Sequence, residues 1–437
     1  MSTAPAETGY GRGAAVLSVG IGVTGLITYA YFGLASHSLS EADYGGITLL
    51  WSAVFVTVSV LYRPVEQLLS RTIADRGARG ATGDSHLRVA ATIQLALGVL
   101  FAVVALALRG PIEDDLFGGS QTLYWVLIVT VLAYAVSYFA RGFLAGSHRY
   151  GLYGGLVFME SVSRCLFAVA VVAGIASGQS VVALGIAAAP IASLAVVPWA
   201  LKRRLAVEGD RSPGAAGEPG GEPEFTLSHG AGFAVAVLAI MVAEQTFLNA
   251  GPLIVKATTD GPDGSALAGF TFNVLLIARA PLQLFQAIQT SILPHLTRLR
   301  VSGESDPFRR SVNVTLVAIA GFAACVALAM LAIGPWLMDL VFGGDLAYDR
   351  LGLVLISLGM GLYLAAATLN QALLARARAR SACACWLAAA AGYVGFLLLP
   401  GFDDRVVQVE VGYAGAALIL CSLLYAQYRR SHPDGAS

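Results

Sequence analysis

The sequence predicts an all-α integral membrane protein of about 12 transmembrane helices, in two pseudo-symmetric six-helix bundles around a central cavity. Three observations predict this. The 437 residues are 57% hydrophobic and only 12% charged, about half the charge of a soluble domain. The apolar residues fall in blocks of about 20, the length an α-helix needs to cross the hydrocarbon core. A polar interval at 203–228, containing RSPGAAGEPGGEPEF, has the composition of a flexible linker and divides the blocks six and six. The expected domains are therefore residues 1–202, a cytoplasmic linker at 203–228, and residues 229–437.

The blocks justify the helices in order. The first, 13–36, is too long for the apolar core of a signal peptide and follows a single Arg12, so it reads as a retained membrane helix. The next five span 44–75, 88–108, 121–145, 150–176 and 180–201. After the linker come 229–256, 265–297, 310–334, 351–375, 382–400 and 409–428. The loops alternate in charge. Most of the 27 Lys and Arg fall on one side, in groups such as Arg71, Arg76, Arg79 and Arg88, or Arg376, Arg378 and Arg380. Arg63 and Arg141 count with that side. The opposite loops are short and acidic: Glu41-Ala42-Asp43, Glu113-Asp114-Asp115 and Asp403-Asp404, with Arg109, Lys256, Arg350 and Arg405 as their cations. The positive-inside rule makes the arginine side cytoplasmic, so both termini are expected there. The cations are nearly all Arg, and Ala and Gly are abundant, which suggests a GC-rich bacterial genome and thus a bacterial cell membrane.

The halves share a short repeat. RPVEQLL at 63–69 and RAPLQLF at 279–285 align at a constant offset, matching Arg63 with Arg279 and Gln67 with Gln283. Each lies in the second helix of its half. Both halves enter from the same side, so the repeat is parallel, about an axis along the membrane normal.

Several functions are excluded or disfavoured. Net charge is zero, so nothing draws the chain to nucleic acid. The five cysteines lie in apolar helices and read as small core residues. The histidines do not cluster, so neither a metal nor a cofactor is expected. GIGVTG at 20–25 matches a dinucleotide-loop pattern but has no strand before it. In a membrane helix such glycines let neighbours approach closely.

The chemistry must then lie in charges within the membrane, which cost about 2.5–3.5 kcal/mol each on insertion scales and tend to face a cavity or partner. Glu160 and Arg164, spaced i, i+4, share a helix face and can pair, either simply to fix packing or as part of a cavity. Arg279, Gln283, Gln286 and Thr290 form a polar face on the eighth helix. Arg63, Gln67, Ser70 and Arg71 form a similar one on the second, with Glu66 beside them. Glu244 has no local partner and reads as a coupling group or an interhelical pairing group. Polar faces with arginines in both halves predict a wet, cationic cleft, and Arg suits bidentate contact with phosphate or carboxylate.

Three stretches resemble a known family. SHSLSEADYGGITLLWS at 36–52 is similar to the first outer loop and second helix of polysaccharide-biosynthesis flippases. RGFLAGSHRYGLYGGLVFMESVSR at 141–164 resembles their fourth-to-fifth helix turn, and LNQALLARARARSACACWL at 369–387 the matching turn of the second half. The group is the multidrug/oligosaccharidyl-lipid/polysaccharide (MOP) superfamily, and the chain looks closest to its O-antigen and exopolysaccharide flippases. The resemblance implies alternating access and, as cargo, a polyprenyl-pyrophosphate-linked oligosaccharide carried from the cytoplasmic to the outer face. Membrane lipid and polysaccharide assembly enzymes would be partners of a monomer, with no catalytic residues. By their chemistry, Arg164, Arg279 and Arg63, with Gln283 and Gln67, would bind the head group. Glu160 and Glu244 would pair or couple. The alternatives are a cation-coupled drug exporter, a membrane glycosyltransferase or polymerase, and a scaffold. The first is disfavoured because 13–36 holds no Asp or Glu, the second because the outer loops are short.

Overall fold

The computed structural model describes residues 6–78, 85–196, 227–259, 261–277, 279, 305–344, 347–376 and 378–430. The described helices are α1 (Ala6–Ser38), α2 (Glu41–Leu61), α3 (Arg63–Ala78), α4 (Ser85–Ala107), α5 (Gln121–Gly146), α6 (Tyr150–Val172) and α7 (Gln179–Ser193). They continue as α8 (Leu227–Thr258), α9 (261–277), α10 (Ser305–Phe342), α11 (Arg350–Ala375), α12 (Ala379–Leu397) and α13 (Arg405–Arg430). Among the described residues, nine stretches are long and apolar enough to cross a membrane, and α7 is a shorter apolar helix. Residues 203–226 of the expected linker and the stretch 280–297 of the eighth expected helix lie outside the described residues, and the last two expected linker residues, 227 and 228, open α8.

Several boundaries differ from the sequence expectation, α1 beginning at Ala6 rather than at 13 among them, and two differences matter most. The single helix expected at 44–75 is two, α2 and α3, broken at Tyr62. Pro64 explains the break: it has no N–H to bond the carbonyl of Val60, and its ring crowds that oxygen. Hydrogen bonds from Tyr62 N to Val58 O (2.9 Å) and from Glu66 N to Tyr62 O (3.0 Å) carry the chain across. The ninth expected helix, 310–334, extends to Ser305–Phe342. Its first turn is polar, and at the other end the helix continues through Pro335, where the expectation stopped.

Packing repeats between the halves. In the first half α1 packs on α6, α4 on α5, α5 on α7 and α6 on α7. In the second, in the same order, α8 packs on α12, α10 on α11, α11 on α13 and α12 on α13. Among the described residues, five helices of each half are thus arranged alike.

The contacts that join the halves gather toward the acidic-loop end. Tyr29 donates to the carbonyl of Leu276, Ser36 to that of Phe342, and Tyr44 to Asn273 Oδ1. Asn273 Nδ2 donates onward to Tyr348 Oη at 3.3 Å. Burial pushes the Tyr348 phenol up to about 12, so it stays neutral at physiological pH. Phe32 and Phe272 meet at 4.8 Å between ring centroids. At Gly45 the backbones of α2 and α9 nearly touch: a Cβ there would sit 1.8 Å from Ser265 O. These contacts form a seal. Its entry is set by Ser40, which caps α2 by accepting from Asp43 N at 3.2 Å. Ser40→Ala is expected to lower unfolding free energy by about 1 kcal/mol, read as a small drop in the thermal midpoint in detergent.

Candidate functional site: charged groups in the membrane

The α5–α6 hairpin positions the first charged group. It turns at 147–149, where His148 takes a positive φ of 55°. The two antiparallel helices bring Arg141 of α5 to Glu160 of α6, and the two form an ion pair. Ser137 Oγ donates to the other Glu160 oxygen at 2.6 Å. Both side chains are nearly buried, with 12% and 5% of their surfaces exposed. This corrects the expected Glu160–Arg164 pair. It also moves Arg141, which loop charge had assigned to the arginine side, into the packed interior. The guanidinium lies 4.5 Å from the Tyr138 ring centroid, a cation–π contact that offsets part of its desolvation.

Arg164 has a different environment. It is 3% exposed and its guanidinium stands 4.3 Å from the Trp51 ring and 5.6 Å from the Tyr31 ring. Its Nη2 donates to Thr28 Oγ1 (3.3 Å) and Ser161 Oγ (3.4 Å), while Nε makes no hydrogen bond. Among the described residues Arg164 is held on aromatic faces and hydroxyls, with no carboxylate in contact, in the interior of the first half.

The second group bridges the halves. Arg63 opens α3, just past the Pro64-induced break, and is half-buried. It faces the Glu244 carboxylate of α8, with Glu66, Tyr138 and Tyr153 on its own side. Glu244, which has no partner within its own helix, thus finds its opposite charge in the other half. Tyr153 Oη donates to Glu66 Oε1 at 3.0 Å, and Glu66 also lies within range of Arg141. Gln67 is exposed. α3 is held against α5 where two glycines allow close approach: a Cβ on Gly142 would lie 2.9 Å from Glu66 O, and one on Gly146 2.7 Å from Ser70 O.

The third group lies in the second half. Arg279 donates through Nη2 to the carbonyl of Leu248 and to Asn249 Oδ1 (3.2 Å). Asn249 is oriented by its own bonds to Gln245, O at 3.2 Å and Oε1 at 3.1 Å. The Arg279 guanidinium stands 5.1 Å from the Phe272 ring, with Tyr363, Tyr393, Tyr413 and, from the first half, Tyr29 around it. Its partners are neutral and its Nε makes no hydrogen bond. Gln283, Gln286 and Thr290 lie outside the described residues.

The expected cationic cleft therefore needs correction in detail. Arg63 and Arg141 are balanced by Glu66, Glu160 and Glu244, while among the described residues no carboxylate contacts Arg164 or Arg279. Arg141 was the participant that loop assignment undervalued. The available signal was its place opposite Glu160 across a short helix hairpin. Among the described residues, no three His, Cys, Asp or Glu side chains converge to hold a metal ion.

A separate cavity of about 700 Å³ opens at the acidic end, lined by Asp43, Asp114, Asp115, Gln179, Lys256 and Ser265, among others. Glu113, of the acidic triplet, turns inward to Arg109 at 2.8 Å. Lys256, counted with the loops from sequence, is 7% exposed on the last turn of α8 and donates to Gly261 O at 3.1 Å.

No family model matches the chain. Similar known proteins include two from Mycobacterium tuberculosis. The uncharacterized protein Rv1510 is 26% identical over 379 residues, covering 85% of this chain and 82% of its own. The uncharacterized protein Rv3630 is 25% identical over 394 residues, covering 88% and 85%. Solved structures share the fold over nearly the whole length. One is the inward-facing conformation of a multidrug resistance MATE family transporter of the MOP superfamily, with a TM-score of 0.67 at 16% identity, covering 95% of this chain and 97% of that one. A mutant of the Vibrio cholerae MATE transporter VcmN gives a TM-score of 0.65 at 16% identity, covering 97% and 98%. The eukaryotic MATE transporter AtDTX14 gives 0.61 at 16% identity, covering 97% of each chain. The chain has the fold of the MATE transporters of the MOP superfamily, and these neighbours are transporters rather than enzymes.

Proposed function

We propose that the protein is a flippase that moves a polyprenyl-pyrophosphate-linked oligosaccharide from the cytoplasmic to the outer face of the cell membrane by alternating access. The observation that carries this reading is Arg279. It is a guanidinium held within the second half by neutral partners alone, close to Tyr29 of the first half. A half-buried cation without a counter-charge is costly, and a pyrophosphate head group arriving between the halves would supply one with bidentate geometry. Arg63, the repeat-related position, would present the second guanidinium, with Glu244 as the carboxylate that the cargo displaces. Gln67 and Gln283 would add polar contacts. Arg164, enclosed by Trp51 and Tyr31, would act by setting the potential rather than by touching cargo. Glu160 would serve Arg141.

The test is delivery of lipid-linked glycan in the native host, with sidedness read by an impermeant sugar-oxidising reagent. Arg279→Ala and Arg63→Ala are each expected to reduce outward delivery by about tenfold or more, since a lost charge-assisted contact is worth about 1.5–3 kcal/mol. Protein inserted at normal levels and delivering glycan at the normal rate would refute the reading.

One observation favours a second reading, a drug exporter. Glu66 and Glu244 stand with Arg63 where the halves face each other, and an organic cation could exchange with Arg63 for them. Efflux of a fluorescent cation that Glu244→Gln abolishes, with glycan delivery unaffected, would establish that alternative.

A further inference from the structure

Outside the site just described, the arginine-side end of the second half gathers cations from four helix ends. The stretches 305–312, 376–383 and 423–430 hold seven arginines and one acid, Asp306. Arg376, just past the end of α11, fastens the other helices together. Its guanidinium stands 4.6 Å from the Phe308 ring of α10 and 4.7 Å from the Tyr428 ring of α13, and its Nη1 donates to Tyr428 O at 3.3 Å. Both rings are buried. The remaining arginines follow directly in sequence: Arg309 and Arg310 after Phe308, Arg378 and Arg380 after Arg376, Arg429 and Arg430 after Tyr428. All six are exposed. Arg309 lies within electrostatic range of the Tyr428 phenol, so the junction draws these helix ends into one patch. The arrangement is unfavourable by itself. Like charges repel, and Arg309, Arg310, Arg378 and Arg380 belong to the opening turns of α10 and α12, where the helix dipole disfavours cations. The N-cap residue of α12 is Arg378 itself, and no side chain caps that end. The positive-inside rule accounts for arginines on this side of the membrane but not for their convergence on one junction.

We propose that this junction binds the head group of an anionic phospholipid carrying two phosphates, with its acyl chains lying along α10 and α13. An anion placed here relieves both the repulsion and the dipole penalty. The neighbouring surface identifies it as a lipid. Further along the same helices the exposed side chains turn apolar: Val314 and Val317 of α10, Leu387 of α12, Ile419 and Leu423 of α13. The guanidinium layer thus continues into a lipid-facing layer, which is the complement of an amphiphile. Arginine clusters beside membrane helices attract acidic head groups, and each phosphate can take paired N–H donors from a guanidinium. The bound lipid ties the start of α10 to the α11–α12 turn and to the end of α13. The binding involves neither Arg63 nor Arg279 and does not depend on what the protein transports.

The experiment uses the full-length protein, purified in detergent. Its thermal midpoint is followed as cardiolipin (the two-phosphate probe), phosphatidylglycerol or phosphatidylcholine is added. Cardiolipin is expected to raise the midpoint at the lowest concentration, phosphatidylglycerol at a higher one, and phosphatidylcholine not at all. In the double variant Arg378→Gln with Arg380→Gln, the half-effective cardiolipin concentration should rise about tenfold or more, since each arginine near an acidic surface strengthens binding about fivefold. Arg71→Gln with Arg88→Gln removes the same charge from exposed positions on the same side of the first half, and should leave that concentration unchanged. An equal shift in both double variants would reduce the effect to general surface charge and overturn the proposal. Inorganic pyrophosphate protecting the wild type as well as cardiolipin does would assign the junction to a soluble phosphate and overturn it too, as would a midpoint indifferent to cardiolipin.

Discussion

Gly45→Leu is expected to force the acidic end of the protein open. A Cβ at this position would lie 1.8 Å from Ser265 O and 2.3 Å from its carbonyl carbon, both backbone atoms. Neither can rotate away as a side-chain tip could. Gly269, one turn further along α9, closes the second side of the crossing, with its own Cβ position 3.0 Å from Gly45 Cα. Overpacking of this kind costs about 1–3 kcal/mol, which moves a two-state equilibrium about 5- to 150-fold. The cost falls only on the sealed state, because the contact exists only while α2 and α9 cross. Cross-linking between cysteines at Ser36 and Phe342, in a background lacking the five native cysteines, should fall accordingly. Unchanged cross-linking would mean that the crossing does not hold the seal.

Arg141→Ala should be among the most destabilising single changes in the first half. It strands Glu160, which is 4% exposed and keeps only the Ser137 hydroxyl. Removing one member of a buried pair costs about 3–5 kcal/mol. Arg141→Met with Glu160→Met should recover most of that loss, because the pair leaves together and its volume is retained. The measurement is the thermal midpoint of the four proteins of the cycle in detergent. Additive losses would show that the two side chains act independently.

The helices were legible because lipid imposes a length and a composition on anything that crosses it. The break at Tyr62 was legible in principle too, since Pro64 was in view, yet a continuous apolar block concealed it. The pairing of charges was not legible. The i, i+4 rule joins Glu160 to Arg164 because it sees one helix at a time. Across the hairpin centred on His148, at 1.5 Å per residue, Arg141 stands about 10 Å and Glu160 about 18 Å from the turn. An extended arginine side chain covers that difference. Arg164 meanwhile was claimed by Trp51 and Tyr31, residues more than 100 positions away in sequence, which no local rule connects. The repeat pointed to Arg63 and Arg279, and its Gln67–Gln283 match gives an exposed glutamine at Gln67.

The interruption at Tyr62 separates two tasks that one unbroken helix would have tied together. α2 crosses to the other half and makes the seal, whereas α3 is fastened to α5 and carries Arg63. Changes along α3 can accumulate without disturbing the α2–α9 crossing. A lineage built on this plan can change the charges that α3 presents while the crossing of α2 and α9 stays intact, and selection can act on the two properties separately.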